Sequence, residues 1–139
     1  NEPLLLVRLS KWTDAEEPVP GGGIRTGHGF REQWIDRPQI DHDELALSTC
    51  CWWVLSESGV RRRGIRYAVA VYRGVTRGLF EIHPSTWEKR GERSGFQCTP
   101  VTSGDVWESV VGSHGHRVVG MRRGSQNPIR YWPITVPAT

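Results

Sequence analysis

The chain has 139 residues, 24% of them charged, with a formal net charge of +3 and seven tryptophans. That length fits one domain, 1–139, able to bury a core without disulfide or metal staples. Its longest apolar runs are strand-length, which excludes a helix spanning a membrane.

Cys50, Cys51 and Cys98 are odd in number and two are adjacent, unlike a disulfide framework or the paired spacing of a zinc site. They read as reduced core residues of a cytoplasmic protein, and no cofactor or metal is expected.

In chain order, residues 4–9 form an apolar run that predicts a first strand. Residues 13–29 hold acids, prolines and the run Gly21-Gly22-Gly23, a composition that reads as a long loop. The triple glycine lacks the Gly-Lys-Ser/Thr that a P-loop needs, so it reads as a linker. Residues 41–47 suit one or two helical turns with acids at the amino end. Residues 48–55 are bulky and β-prone, which predicts a strand, and 56–59 a polar turn. Tyr67–Tyr72 and Val75–Ile82 then predict a β-hairpin across Arg73-Gly74, at the centre of a sheet because both runs are continuously apolar. A strand over 95–99 follows. Asp105 opens a helix with Val106, Trp107, Val110 and Val111 at helical spacing, and Gly112 stops it. Two more strands are predicted at 117–121 and 128–134. The sum is an α+β domain, a small, mostly β open barrel with two or three short helices.

Charge is unevenly placed. Residues 1–57 hold ten acidic and five basic side chains, while 58–139 hold five acidic and thirteen basic. Such polarity predicts one face built for an anionic partner. The only lysines are Lys11 and Lys89. Arginine's planar fork suits phosphates and base edges, although a GC-rich genome would also favour arginine. The residues expected on a nucleic-acid backbone or groove are Arg61, Arg62, Arg63, Arg66, Arg73, Arg77, Arg90 and Arg93. A tail loop adds Arg122, Arg123, Gln126 and Asn127.

Catalytic signatures are missing. His42 stands between Asp41 and Asp43, and His114 and His116 flank Gly115, but neither group has a partner motif. No nucleophile elbow or metalloprotease helix is present. The chain is therefore not expected to be an enzyme. The rival reading is a hydrolase using Asp41, Asp43 and Glu81.

Tryptophan suits surfaces that stack a base or a cation. Trp107 and Trp12 are expected in the core. Trp52 and Trp53 alternate across the predicted strand, so one of them faces outward. Trp87 follows a strand end, and both it and Trp53 are followed by basic residues. These make Trp53 and Trp87 candidates for binding.

The stretch from Tyr67 to Ile82, with Trp53 before it, Trp87 after it and Gly78 near its end, resembles the centre of PUA-like modified-base readers. That superfamily includes the YTH, EVE, ASCH and SRA domains. The ending from Gly124 to Tyr131 is similar to the tail of PUA-like domains attached to bacterial restriction systems. The resemblance implies a cage around a modified base, walled by Trp53 and Trp87 with Trp52 as the alternative to Trp53. Ser48, Thr49 and Tyr72 complete the expected pocket. The lysine-tyrosine that precedes the cage tryptophan in YTH domains is replaced here by Cys50-Cys51. The implied function is binding of DNA that carries a modified base, expected to be 5-methylcytosine, flipped into the cage on behalf of a nuclease domain or subunit. An RNA reader of the same fold and a protein-interaction module are the alternatives.

Overall fold

The computed structural model describes residues 2–119, 121 and 127–133. Five strands form one sheet: β1 (Leu4–Arg8), β4 (Tyr67–Tyr72), β5 (Val75–Ile82), β8 (Cys98–Val101) and β9 (Ile129–Trp132), in the order β8-β5-β4-β1-β9. β1 runs parallel to β4, with Leu4 beside Tyr67; the other neighbours are antiparallel. Two small hairpins, β2 (Thr13–Pro18) with β3 (Ile24–His28) and β6 (Glu88–Arg90) with β7 (Arg93–Gly95), stand apart from it. Three α-helices complete the α+β domain: α1 (His42–Thr49), α2 (Glu57–Arg62) and α3 (Asp105–Val110).

The continuous apolar character of β1 and β4 has a direct cause: both faces of the sheet are covered. Leu5, Val7, Ala68, Ala70 and Phe80 point to one face, packed with Leu45 of α1 and with Phe30 and Trp34. Leu4, Leu6, Val69, Val71 and Leu79 point to the other, where Val106, Trp107 and Val110 of α3 lie against them. Gly78 faces Leu45. A Cβ there would stand 3.0 Å from Leu45 Cδ2 and from Phe80 Cζ, so the glycine sets how closely α1 approaches β5.

The β4–β5 hairpin has the predicted bounds. Arg73 and Gly74 turn it with φ of 51° and 73°, the left-handed pair of a two-residue hairpin loop. Opposite residues run Val71 to Thr76 and Ala70 to Gly78, which leaves Arg77 as the extra residue of a β-bulge.

Other expectations are corrected. Residues 13–29 are the β2–β3 hairpin rather than a long loop, with Gly21, Gly22 and Gly23 at positive φ in its turn. β2 is largely exposed and carries no apolar alternation, so its sequence resembles a loop. Residues 48–55 are not a strand: Ser48 and Thr49 finish α1, and Trp53 makes a lone bridge to Ser94. The polar turn at 56–59 opens α2, whose first N–H groups are capped by Ser56 Oγ accepting from Gly59 N at 3.0 Å. The single strand at 95–99 divides into β7 and β8. Within 117–121 the described residues form only a bridge from Arg117 to Val75. The described strands do not close into a barrel, since β8 and β9 remain edges. Among the described residues no helix is long and apolar enough to cross a membrane.

Candidate nucleic-acid interface

The chain emerges from α1 directly into the tryptophan pair. Trp52 is buried and its indole N–H donates to Pro18 O at 2.9 Å. Trp53 is half-buried. It exchanges both backbone hydrogen bonds with Ser94 on β7, at 3.0 and 2.8 Å, and its indole donates to Thr49 O at 2.9 Å. On its other side β7 pairs with β6, with Ser94 opposite Lys89. Trp53 thus adds a single bridge to the two-stranded β6–β7 ribbon, with Trp53, Ser94 and Lys89 in register.

Trp87 precedes β6 and Phe96 follows β7; Ser94 and Phe96 are buried, and Trp53 and Trp87 both pack half-buried against the core cluster that holds Phe96. The Trp87 and Phe96 rings are 5.0 Å apart at 54°. A groove of about 750 Å³ opens beside this ribbon, lined by Leu55, Ser56, Arg61, Lys89, Asn127 and Tyr131 among others. A smaller cleft of about 210 Å³ lies on the α1 side, with Phe96 and Gln97 in its wall.

The basic residues of this end are exposed. Arg90 and Arg93 face each other across the ribbon tip. Arg93 donates to Trp52 O at 3.2 Å, and the Arg90 guanidinium lies 6.0 Å from the Trp52 ring. Arg61 pairs with Glu57 at 2.8 Å and reaches Pro84 O. Arg63 covers Tyr131 at 3.9 Å, Arg66 meets Glu2 at 3.4 Å, and Arg62 makes no ion pair among the described residues. Arg122, Arg123 and Gln126 lie outside the described residues, whereas Asn127 lines the groove.

Three residues expected in the pocket stand elsewhere. Thr49 is fully buried and its hydroxyl donates to Leu45 O at 2.7 Å; Ser48 is buried in α1, its Oγ without a partner among the described residues. Tyr72 stacks on Phe30, ring centroids 4.6 Å apart, at the turn end of β4. The loop carrying Trp87 leaves the opposite end of β5, beside Tyr67 rather than Tyr72. The five residue steps of β4 make that separation about 17 Å. Arg73 and Arg77 stay with Tyr72: their guanidinium carbons lie 5.1 and 5.8 Å from its ring centroid. The basic residues thus divide between two ends of the sheet.

Sequence reasoning missed Arg25, the one buried charged residue among those described. Its guanidinium, 5% exposed, donates to Leu47 O at 2.7 Å and Cys51 O at 2.8 Å and pairs with Glu17 at 2.9 Å. It clamps the β2–β3 hairpin to the carboxyl end of α1, where the helix presents free carbonyls. Nothing in the sequence distinguishes Arg25, in a stretch that reads as loop, from a surface arginine. Ser94 and Phe96 were also missed, because the register that places them depends on a pairing 41 residues distant with Trp53.

The thiols of Cys50 and Cys51 beneath this end are free and buried. A hydrogen bond with Cys50, together with burial, pushes the Cys51 thiol far above its ordinary range. For Cys50 the bond to Cys51 pulls downward, but contact with Cys98 and burial outweigh it. Among the described residues no group of histidines, cysteines and carboxylates is arranged to hold a metal.

No protein-family model, curated protein or solved structure matches this chain.

Proposed function

We propose that this domain binds nucleic acid and reads a modified base, held between Trp53 and Trp87. The observation that carries the reading is a pair of half-buried indoles beside one basic ribbon: Trp53, bridged to Ser94 of β7, and Trp87, 34 residues further on, just before β6. Lys89 and the exposed Arg90 and Arg93 supply positive charge next to the aromatics, the combination that stacking sites use. Removing a base from a duplex costs a few kcal/mol, and stacking at about 1–3 kcal/mol per aromatic face can offset it.

The preferred ligand is duplex DNA carrying 5-methylcytosine, on a PUA-like domain that delivers a nuclease to its target. The strand–turn–strand of β4 and β5, Gly78 against α1, and the tryptophans before and after the hairpin support that assignment. Of the two tryptophans after α1, Trp53 is the cage wall, because Trp52 is spent on Pro18 and the core. A methyl group adds less than about 1 kcal/mol by burial, so preference for it rests on a close fit between the rings.

The test is a titration of one duplex, unmodified and methylated at cytosine, against the wild-type domain and Trp87→Ala. Loss of methyl preference with retained salt-sensitive binding supports the cage. Equal weakening of both duplexes contradicts it. A matched RNA ligand separates DNA from RNA reading, because only RNA offers the 2′-hydroxyl.

A further inference from the structure

The far end of the sheet holds basic residues that the base-reading site leaves unused. Arg77 occupies the β5 bulge, which turns its side chain back so that Nε and Nη2 donate to Tyr72 O at 3.1 and 3.0 Å. Arg73 lies over the same Tyr72 ring. Arg37, from the short 3-10 turn Arg37–Gln39, donates to Thr76 O at 3.3 Å, one residue from Arg77. The loop after α3 closes on the same point: His116 O accepts from Thr76 N at 2.9 Å, and a Cβ on Gly115 would lie 2.3 Å from Arg37 Nη2. Exposed Arg117 bridges Val75 and adds to the charge.

Three guanidinium groups therefore meet one hairpin tip, and among the described residues a single carboxylate is ion-paired with any of them. Glu32 meets Arg73 at 3.4 Å, and both side chains are more than half exposed. Arg37 and Arg77 form no ion pair among the described residues. The crowding is felt: burial first, then the charges of Arg37 and Arg73, make the Arg77 guanidinium less basic than usual. Arg73 is also the one non-glycine residue with positive φ among those described. Asn or Gly fits that conformation at lower cost, so its backbone argues for a use of its side chain.

We propose that Arg37, Arg73 and Arg77 form a phosphate-binding site at the β4–β5 turn, separate from the tryptophan ribbon. The guanidiniums of Arg37 and Arg77, anchored by backbone carbonyls, keep their remaining N–H groups for an incoming oxyanion, and a phosphate relieves the repulsion among the three arginines. The site stands whether or not Trp53 and Trp87 hold a base. Its ligand is a phosphate group, presented by a nucleic-acid backbone or by a small phosphorylated molecule.

The experiment is thermal unfolding of the whole chain in inorganic phosphate against chloride at equal ionic strength. Wild type melts higher in phosphate. Arg37→Gln and Arg77→Gln each weaken the apparent phosphate affinity about tenfold, the loss of one charge-assisted contact. Arg73→Asn separates binding from folding: it melts no lower than wild type in chloride yet loses phosphate affinity by a similar factor. A phosphate effect that is absent in wild type, or equal in all four proteins, overturns the proposal. Arg37→Gln is then titrated with unmodified duplex. Weakened duplex binding identifies a nucleic-acid phosphate as the ligand, and unchanged duplex binding beside a lost phosphate effect identifies a small phosphate.

Discussion

Adjacent tryptophans differ here in burial, although both indole N–H groups donate to backbone carbonyls, Trp52 to Pro18 O and Trp53 to Thr49 O. Trp52 turns inward to Pro18, while Trp53 lies across the ribbon from Lys89 with only Ser94 intervening. Trp87→Ala is expected to lower affinity for the modified duplex by about 1–3 kcal/mol, one stacked face, and to change unmodified binding little. Binding isotherms for the two duplexes check it. Arg25 makes a different claim, on stability. Arg25→Met leaves two carbonyls and the Glu17 carboxylate without their donor, which should cost about 3 kcal/mol in denaturant unfolding. The thiols give a third. With their ionisation pushed above the ordinary range, Cys50 and Cys51 should resist alkylation at pH 8 in the folded protein and react once it is unfolded. The tryptophan candidates were legible from residue type and charged neighbours. Arg25 was not, because its significance is burial, and burial there comes from a hairpin whose sequence looks like a loop.

Among the elements, those whose sequence matches their environment on both faces were readable to the residue. β4 and β5 have their predicted limits because a doubly covered strand is a continuous apolar run and the Arg73-Gly74 turn delimits it. α1 was partly legible. Asp41 Oδ1 accepts from Glu44 N at 3.0 Å as the amino-end signal implied, but the helix runs through Ser48 and Thr49, residues with weak helical preference held by burial. Asp41→Ala should lower stability by about 1 kcal/mol in chemical denaturation. β2, β6 and β7 escaped detection because they are short or exposed, and only their partners make them strands. The candidate site is built from two of these elements, which is why its residues were suspected while its geometry was not.

Over the whole molecule, the charge polarity of the sequence resolves into two basic regions rather than one face. One surrounds the tryptophan ribbon, and the other crowns the β4–β5 turn at the opposite end of the sheet. Each phosphate neutralised releases counterions, so duplex binding should weaken linearly on a log–log plot against salt, with a slope near −0.9 per phosphate contacted. A duplex gripped at both ends of the sheet would lose slope when either region is neutralised. One held only at the ribbon would lose it for Arg90→Gln and Arg93→Gln alone.

The central claim is that a modified base lies between Trp53 and Trp87, and paired titrations test it most directly. One duplex, unmodified and methylated at cytosine, is titrated with wild type, Trp53→Ala and Trp87→Ala at two salt concentrations. The account predicts that wild type prefers the methylated duplex at both salts, and that either substitution removes the preference while leaving the salt-sensitive binding. Equal affinity of wild type for both duplexes, or preference that survives both substitutions, would contradict it.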